Sequence, residues 1–181
     1  AGSLLPNNNT WTGTNDFTNG LTSPGAGTNS FRAGLNAGQT TQGASAVAVG
    51  VHAGQTLQGT NATAVGIDTG TTSQGTNATA VGGGAGYNTQ GGNSVAVGYQ
   101  AGVNTQGINS VAVGVFAGQT SQGAASVAVG NSAGNNTQGN NSIAVGVNAG
   151  TTTQGASSVA IGNLAGNNTQ GNNSIAVGTQ A

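Results

Sequence analysis

The sequence predicts an all-β fold, a parallel β-solenoid with 16 residues per coil. Three observations carry this. A Gln-Gly pair ends at Gly43, Gly59, Gly75, Gly91, Gly107, Gly123, Gly139, Gly155 and Gly171 without a gap, and a fixed period is the signature of stacked repeats. Each period holds an alternating β-branched segment such as Ser94-Val95-Ala96-Val97-Gly98, too short for a helix and spaced as a strand. Glycine recurs at fixed places, where corners bring backbones close or need positive φ.

The elements follow in chain order. Residues 1–27 stand outside the repeat and carry Trp11, Phe17 and Leu21; with Phe31 these bulky side chains suggest a cap or stalk junction beside the first coil. Nine units fill residues 28–171, and residues 172–181 begin a partial tenth. That tenth unit has no cap, which suggests a segment of a longer protein or a rod that joins end to end.

Residues 92–107 serve as the reference unit, numbered 1 to 16. Positions 4 and 6 are mostly β-branched: Val47 and Val49, Val95 and Val97, Val111 and Val113, Val127 and Val129, Ile143 and Val145, Val159 and Ile161. We expect these pairs to form the core ladder. Ala at position 5, with Ser at 3, then gives the strand a second, small-residue face that another chain could approach closely. Asn-Thr-Gln at positions 13 to 15 predicts a second short strand. Positions 8 and 9 accept almost anything, as a solvated turn does. Coils stacked about 4.8 Å apart would make nine units a rod of roughly 43 Å.

Composition excludes most chemistry. Charged residues are 2% of the chain: Arg32, Asp16 and Asp68, with His52 the single histidine and no cysteine. Paired-carboxylate catalysis could draw only on the two Asp residues, and a zinc site lacks ligands. One Arg cannot neutralise a nucleic-acid backbone. No run approaches 18 apolar residues, so no membrane insertion is expected. We therefore expect no enzyme, cofactor or metal. In a stacked coil a charge in a repeated column faces its own copy, so neutral Asn, Thr, Gln and Ser suit the architecture.

A few residues have two readings. His52 and Asp68 share a column one coil apart and could form a small polar site, or be a chance pair on an exposed ladder. Tyr87, Tyr99 and Phe116 could stack on a sugar, or be scattered surface aromatics. Asn8, Asn61, Asn77, Asn135, Asn140, Asn167 and Asn172 head Asn-x-Ser/Thr sequons, which take glycans only on a secretory route.

The hexapeptide Asn93-Ser94-Val95-Ala96-Val97-Gly98 recurs at 109–114, with Ile variants at 141–146 and 173–178. It resembles the YadA-like head repeat of trimeric autotransporter adhesins, and the resemblance spans residues 28–181. It implies a left-handed parallel β-roll in which three chains associate side by side. The spacer Ala-Gly-x-x-Thr-Gln-Gly departs from that pattern. Asn9-Thr10-Trp11-Thr12-Gly13-Thr14-Asn15-Asp16-Phe17 resembles segments of tail-fibre proteins from phages and large DNA viruses.

These resemblances imply a structural or adhesive surface fibre, extracellular or on a virion. Its partners would be its own copies, with a host-surface glycan or protein as receptor. A self-polymerising extracellular filament is the alternative. An ice-binding solenoid ranks third, because position 13 mixes Thr40, Thr56, Thr72, Thr120 and Thr152 with Asn88, Asn104, Asn136 and Asn168, a poor regular lattice.

Overall fold

The structure is a computed structural model that describes residues 27–181. Apart from Gly27, the cap assigned to residues 1–27 lies outside the described residues. From Thr28 onward each 16-residue unit is one coil. Three-residue strands run from Phe31–Ala33 (β1) and Val47–Val49 (β3) to Ile175–Val177 (β19) and form one parallel ten-stranded sheet. Two-residue strands run from Thr41–Gln42 (β2) to Thr169–Gln170 (β18) and form a parallel nine-stranded sheet. Pairing joins each residue to the one 16 positions later, as in Val95↔Val111 and Gln106↔Gln122.

Hydrogen bonding between coils continues around the turns. Val95 N donates to Ser110 O of the following coil at 2.9 Å, and Thr105 N to Thr120 O at 3.0 Å. Asn93 N and Gln100 N instead donate back to Thr76 O and Gly83 O of the preceding coil, both at 2.9 Å. This reversal occurs at positions 2, 7 and 9, where φ is positive: 54° at Asn93, 129° at Gly98 and 52° at Gln100. Asn tolerates that conformation better than most residues, which accounts for its frequency at position 2.

The interior differs from the expected one. In the described residues every buried apolar side chain is alanine, at position 5 (Ala96, Ala112), position 10 (Ala101, Ala117) or, in three coils, position 3 (Ala46, Ala62, Ala78). The expected core ladder of Val47, Val49, Val95, Val97, Val111, Val113, Val127, Val129, Ile143, Val145, Val159 and Ile161 is instead on the outer face. It is half-buried, with Ile143 38% and Ile161 41% exposed. Strand alternation puts positions 4 and 6 on one face and 5 on the other, and from the second coil onward Ala stands at position 5 between the two sheets.

Gln at position 15 sets that width. Gln106 is 1% exposed, and its Nε2 donates to Val95 O on the opposite wall at 2.6 Å. Gln58, Gln74, Gln122, Gln138, Gln154 and Gln170 make the same bond at 2.7 Å. A Cβ on Gly102 would lie 2.9 Å from the Gln106 amide oxygen, so a side chain at position 11, where φ is 57°, would have to displace the packed amide. Ser94 Oγ closes the adjoining corner by donating to Gly91 O at 2.5 Å. In the first coil Arg32 occupies the interior column, and its Nη1 donates to Gly38 O at 2.7 Å.

Position 2 yields a direct test. Asn61, Asn77, Asn93 and Asn109 form a side-chain ladder with Nδ2 to Oδ1 distances of 3.0–3.1 Å. The ladder stops at Ala125, which holds φ 53° without an amide. Ala125→Asn is expected to stabilise the protein by about 1 kcal/mol, because the left-handed conformation costs Asn less and the ladder can extend. An unchanged denaturation midpoint would show that position 2 carries no such strain.

Candidate functional site

The described residues carry two features that could meet a partner. The first is the outer face of the three-residue sheet. Columns 4 and 6 run unbroken from Phe31 and Ala33 to Ile175 and Val177, and in the central coils both are aliphatic, as at Val95 and Val97. Thr63 and Thr79 alone bring a hydroxyl into column 4. A parallel sheet usually has both faces covered, and the alanine interior covers only one face of this sheet.

The second feature is a groove across coils 3 to 5. Neighbouring coils place Ile67-Asp68 and Tyr99-Gln100 at positions 8 and 9, but coil 4 has Gly83-Gly84. The missing side chains leave a recess of about 430 Å³, floored by the two glycines and lined by Tyr87, Tyr99, Asp68 and Gln100 among others. Tyr99 is 54% exposed. Its ring packs edge-on against Phe116, with centroids 5.6 Å apart and planes at 73°.

The sequence-predicted residues are distributed as follows. His52 Nδ1 and Asp68 Oδ1 do meet, at 2.9 Å, with both side chains partly exposed. No cluster of three metal-ligating residues exists among the described residues. Tyr87 and Tyr99 share the groove, and Phe116 stands behind Tyr99 rather than in it. Among the sequon residues, Asn61 and Asn77 belong to the position-2 ladder. Asn135 Nδ2 donates to Phe116 O at 3.0 Å. Asn140 and Asn172 accept from Ala124 N and Ala156 N at 2.8 Å. Asn167 lies in the same column as Asn135, and Asn8 is outside the described residues. Sequence reasoning missed the groove, although Gly82-Gly83-Gly84, the chain's one triple glycine, marks it.

The family profile described as YadA head domain repeat matches twice, over residues 90–117 and 138–165. In those two windows the chain is similar to the YadA head repeat. Both matched windows open on a position-15 Gln and close on a position-10 Ala, three coils apart. The YadA motif therefore covers the interior column of Gln and Ala together with the outer Val/Ile pair. The first window also contains Tyr99 and Gln100 from the groove, and Phe116 behind it. No curated protein and no solved structure matches the chain.

Proposed function

We propose that this chain is a non-enzymatic structural and adhesive segment of a surface fibre, in which three copies pack side by side through the Val/Ile ladder. The observation that carries the reading is the inverted strand: Ala faces inward, and the larger aliphatic columns face outward and half-exposed along the whole sheet. Contiguous apolar surface of that extent marks an interaction face, and YadA-like heads form trimers in general. The partner-facing surface is thus the valine face, not the small-residue face expected from the sequence.

Closed three-fold association buries the ladder without creating a new edge. The rod then holds its turns, positions 8 and 9 among them, toward solvent at the cell or virion surface. No helix among the described residues is long and apolar enough to cross a membrane.

Sedimentation equilibrium of the purified chain tests the assembly. A discrete species at three times the 16.9 kDa chain mass is expected, and Val97→Asp together with Val113→Asp is expected to dissociate it. Open-ended polymers would support the filament alternative instead. A monomer at all concentrations would remove the side-by-side reading.

A further inference from the structure

The groove at Gly83 and Gly84 has the chemistry of a small-molecule site, and we propose that it binds a neutral saccharide, one pyranose ring against Tyr99 or Tyr87. This deepens the adhesive reading by giving it a ligand class.

Size comes first. At about 430 Å³ the recess falls within the ~300–1,000 Å³ range of small-ligand sites. It spans the gap left by one coil, so its walls, coils 3 and 5, stand about 9.6 Å apart. The floor is open: a Cβ on Gly83 would meet nothing closer than Tyr99 Cδ2 at 3.5 Å. Glycine at position 8 is therefore not required by packing, and Val51, Val115 and Val147 occupy that position elsewhere.

The lining groups are already held in place. Phe116 braces the Tyr99 ring edge-on. Phe116 itself sits at φ 58°, a conformation that bulky residues rarely adopt. The same positive φ recurs at position 9 of every coil, Leu164 at 59° among them, so it belongs to the repeat and the groove adds only the ring that it carries. Gln119 Nε2 donates to Gln100 Oε1 at 3.0 Å, and Gln100 Nε2 lies 3.4 Å from the Tyr99 hydroxyl. His52 fixes one oxygen of Asp68 at 2.9 Å. Asn88 Nδ2 donates to Asn104 Oδ1 at 2.9 Å along the far rim. Fixing polar groups before the ligand arrives lowers the entropy lost on binding.

The ligand class follows from this set. Aromatic faces present apolar surface, and a ring of sugar C–H groups matches it. Amides donate to and accept from hydroxyls, and a carboxylate accepts from them, in several directions. The groove contains no cationic side chain, and Asp68 would repel phosphate or sulfate. A quaternary ammonium could use the tyrosines and Asp68, but it has no group to engage the remaining donors and acceptors of the Gln100, Asn88 and Asn104 amides.

Saturation-transfer NMR on the full chain tests this, using methyl glycosides of glucose, galactose, mannose and N-acetylglucosamine, with tetramethylammonium as a separate probe. At least one glycoside should receive magnetisation through its ring-face protons. Affinity should fall tenfold or more in Tyr99→Asn and in Gly83→Val, whose replacement residues other coils carry in that column (Asn131, Val115). Unchanged circular dichroism melts would show that both variants fold. Three results would overturn the proposal: no glycoside binding, binding unaffected by both substitutions, or binding of tetramethylammonium alone. Sedimentation reads the trimer separately, since the groove uses none of positions 4 and 6.

Discussion

Gly98→Ala is expected to break the solenoid at its middle. The added Cβ would lie 2.6 Å from Gly114 O and 2.8 Å from Gly114 C, both backbone atoms of the next coil, and the residue holds φ 129°. Neither obstacle can be relieved locally, because Gly114 stacks on Gly130 and Gly130 on Gly146 in the same way. Positive-φ strain and overpacking against a rigid neighbour together amount to about 3 kcal/mol or more. In a linear array that loss falls on one interface between neighbours, so denaturation should change from one transition to two as the flanking blocks uncouple. Gly83→Ala is the matched control. Its Cβ makes ordinary contacts, its φ is not in the restricted range, and a midpoint shift within about 0.5 kcal/mol is expected. Equal effects from the two substitutions would show that the glycine column does not set the coil spacing.

The period, the two strands per coil and the corner glycines were legible in the sequence, because each leaves a repeated mark at fixed spacing. Which face points inward was not. Alternation distinguishes two faces of a strand but does not orient them, and hydrophobicity alone assigns Val, not Ala, to the core. The columns themselves carried the correcting signal. Position 4 admits Phe31, Thr63 and Thr79 besides Val and Ile, whereas position 5 is Ala in every coil but the first, where Arg32 stands. A column that tolerates exchange faces space, and one that does not faces a wall. Gln at position 15 is equally constant, and its meaning depends on a contact 11 residues away, with the carbonyl at position 4. The groove arises from absent side chains in one coil, and a reading based on the repeat's regularity passes over a single exception. The His52–Asp68 contact was legible, since stacking at 16 residues brings equal positions together.

Gln106→Glu is expected to make the fold pH-dependent, since among the described residues the interior beyond Arg32 of the first coil has no ionisable side chain. The amide is 1% exposed and donates to Val95 O at 2.6 Å. A protonated carboxyl can still donate to that carbonyl, but a carboxylate sets acceptor against acceptor in a space with no counter-ion. Burial of this kind raises a carboxyl by up to about 3–5 pH units, equivalent to about 4–7 kcal/mol at neutral pH. With the folded value raised above the unfolded value near 4.3, the variant should be close to native in stability at pH 3. It should lose stability progressively as pH rises above that point, because the unfolded chain releases its proton first. Gln106→Leu separates the charge from the hydrogen bond: it removes the donor at every pH and should cost about 1–3 kcal/mol without a pH slope. Denaturation midpoints of both variants at pH 3 and pH 8 decide the matter. If the glutamate variant is as stable at pH 8 as at pH 3, the interior is wetter than a sealed stack of Ala, Ser and Gln permits, and the two walls are not held together by the Gln column.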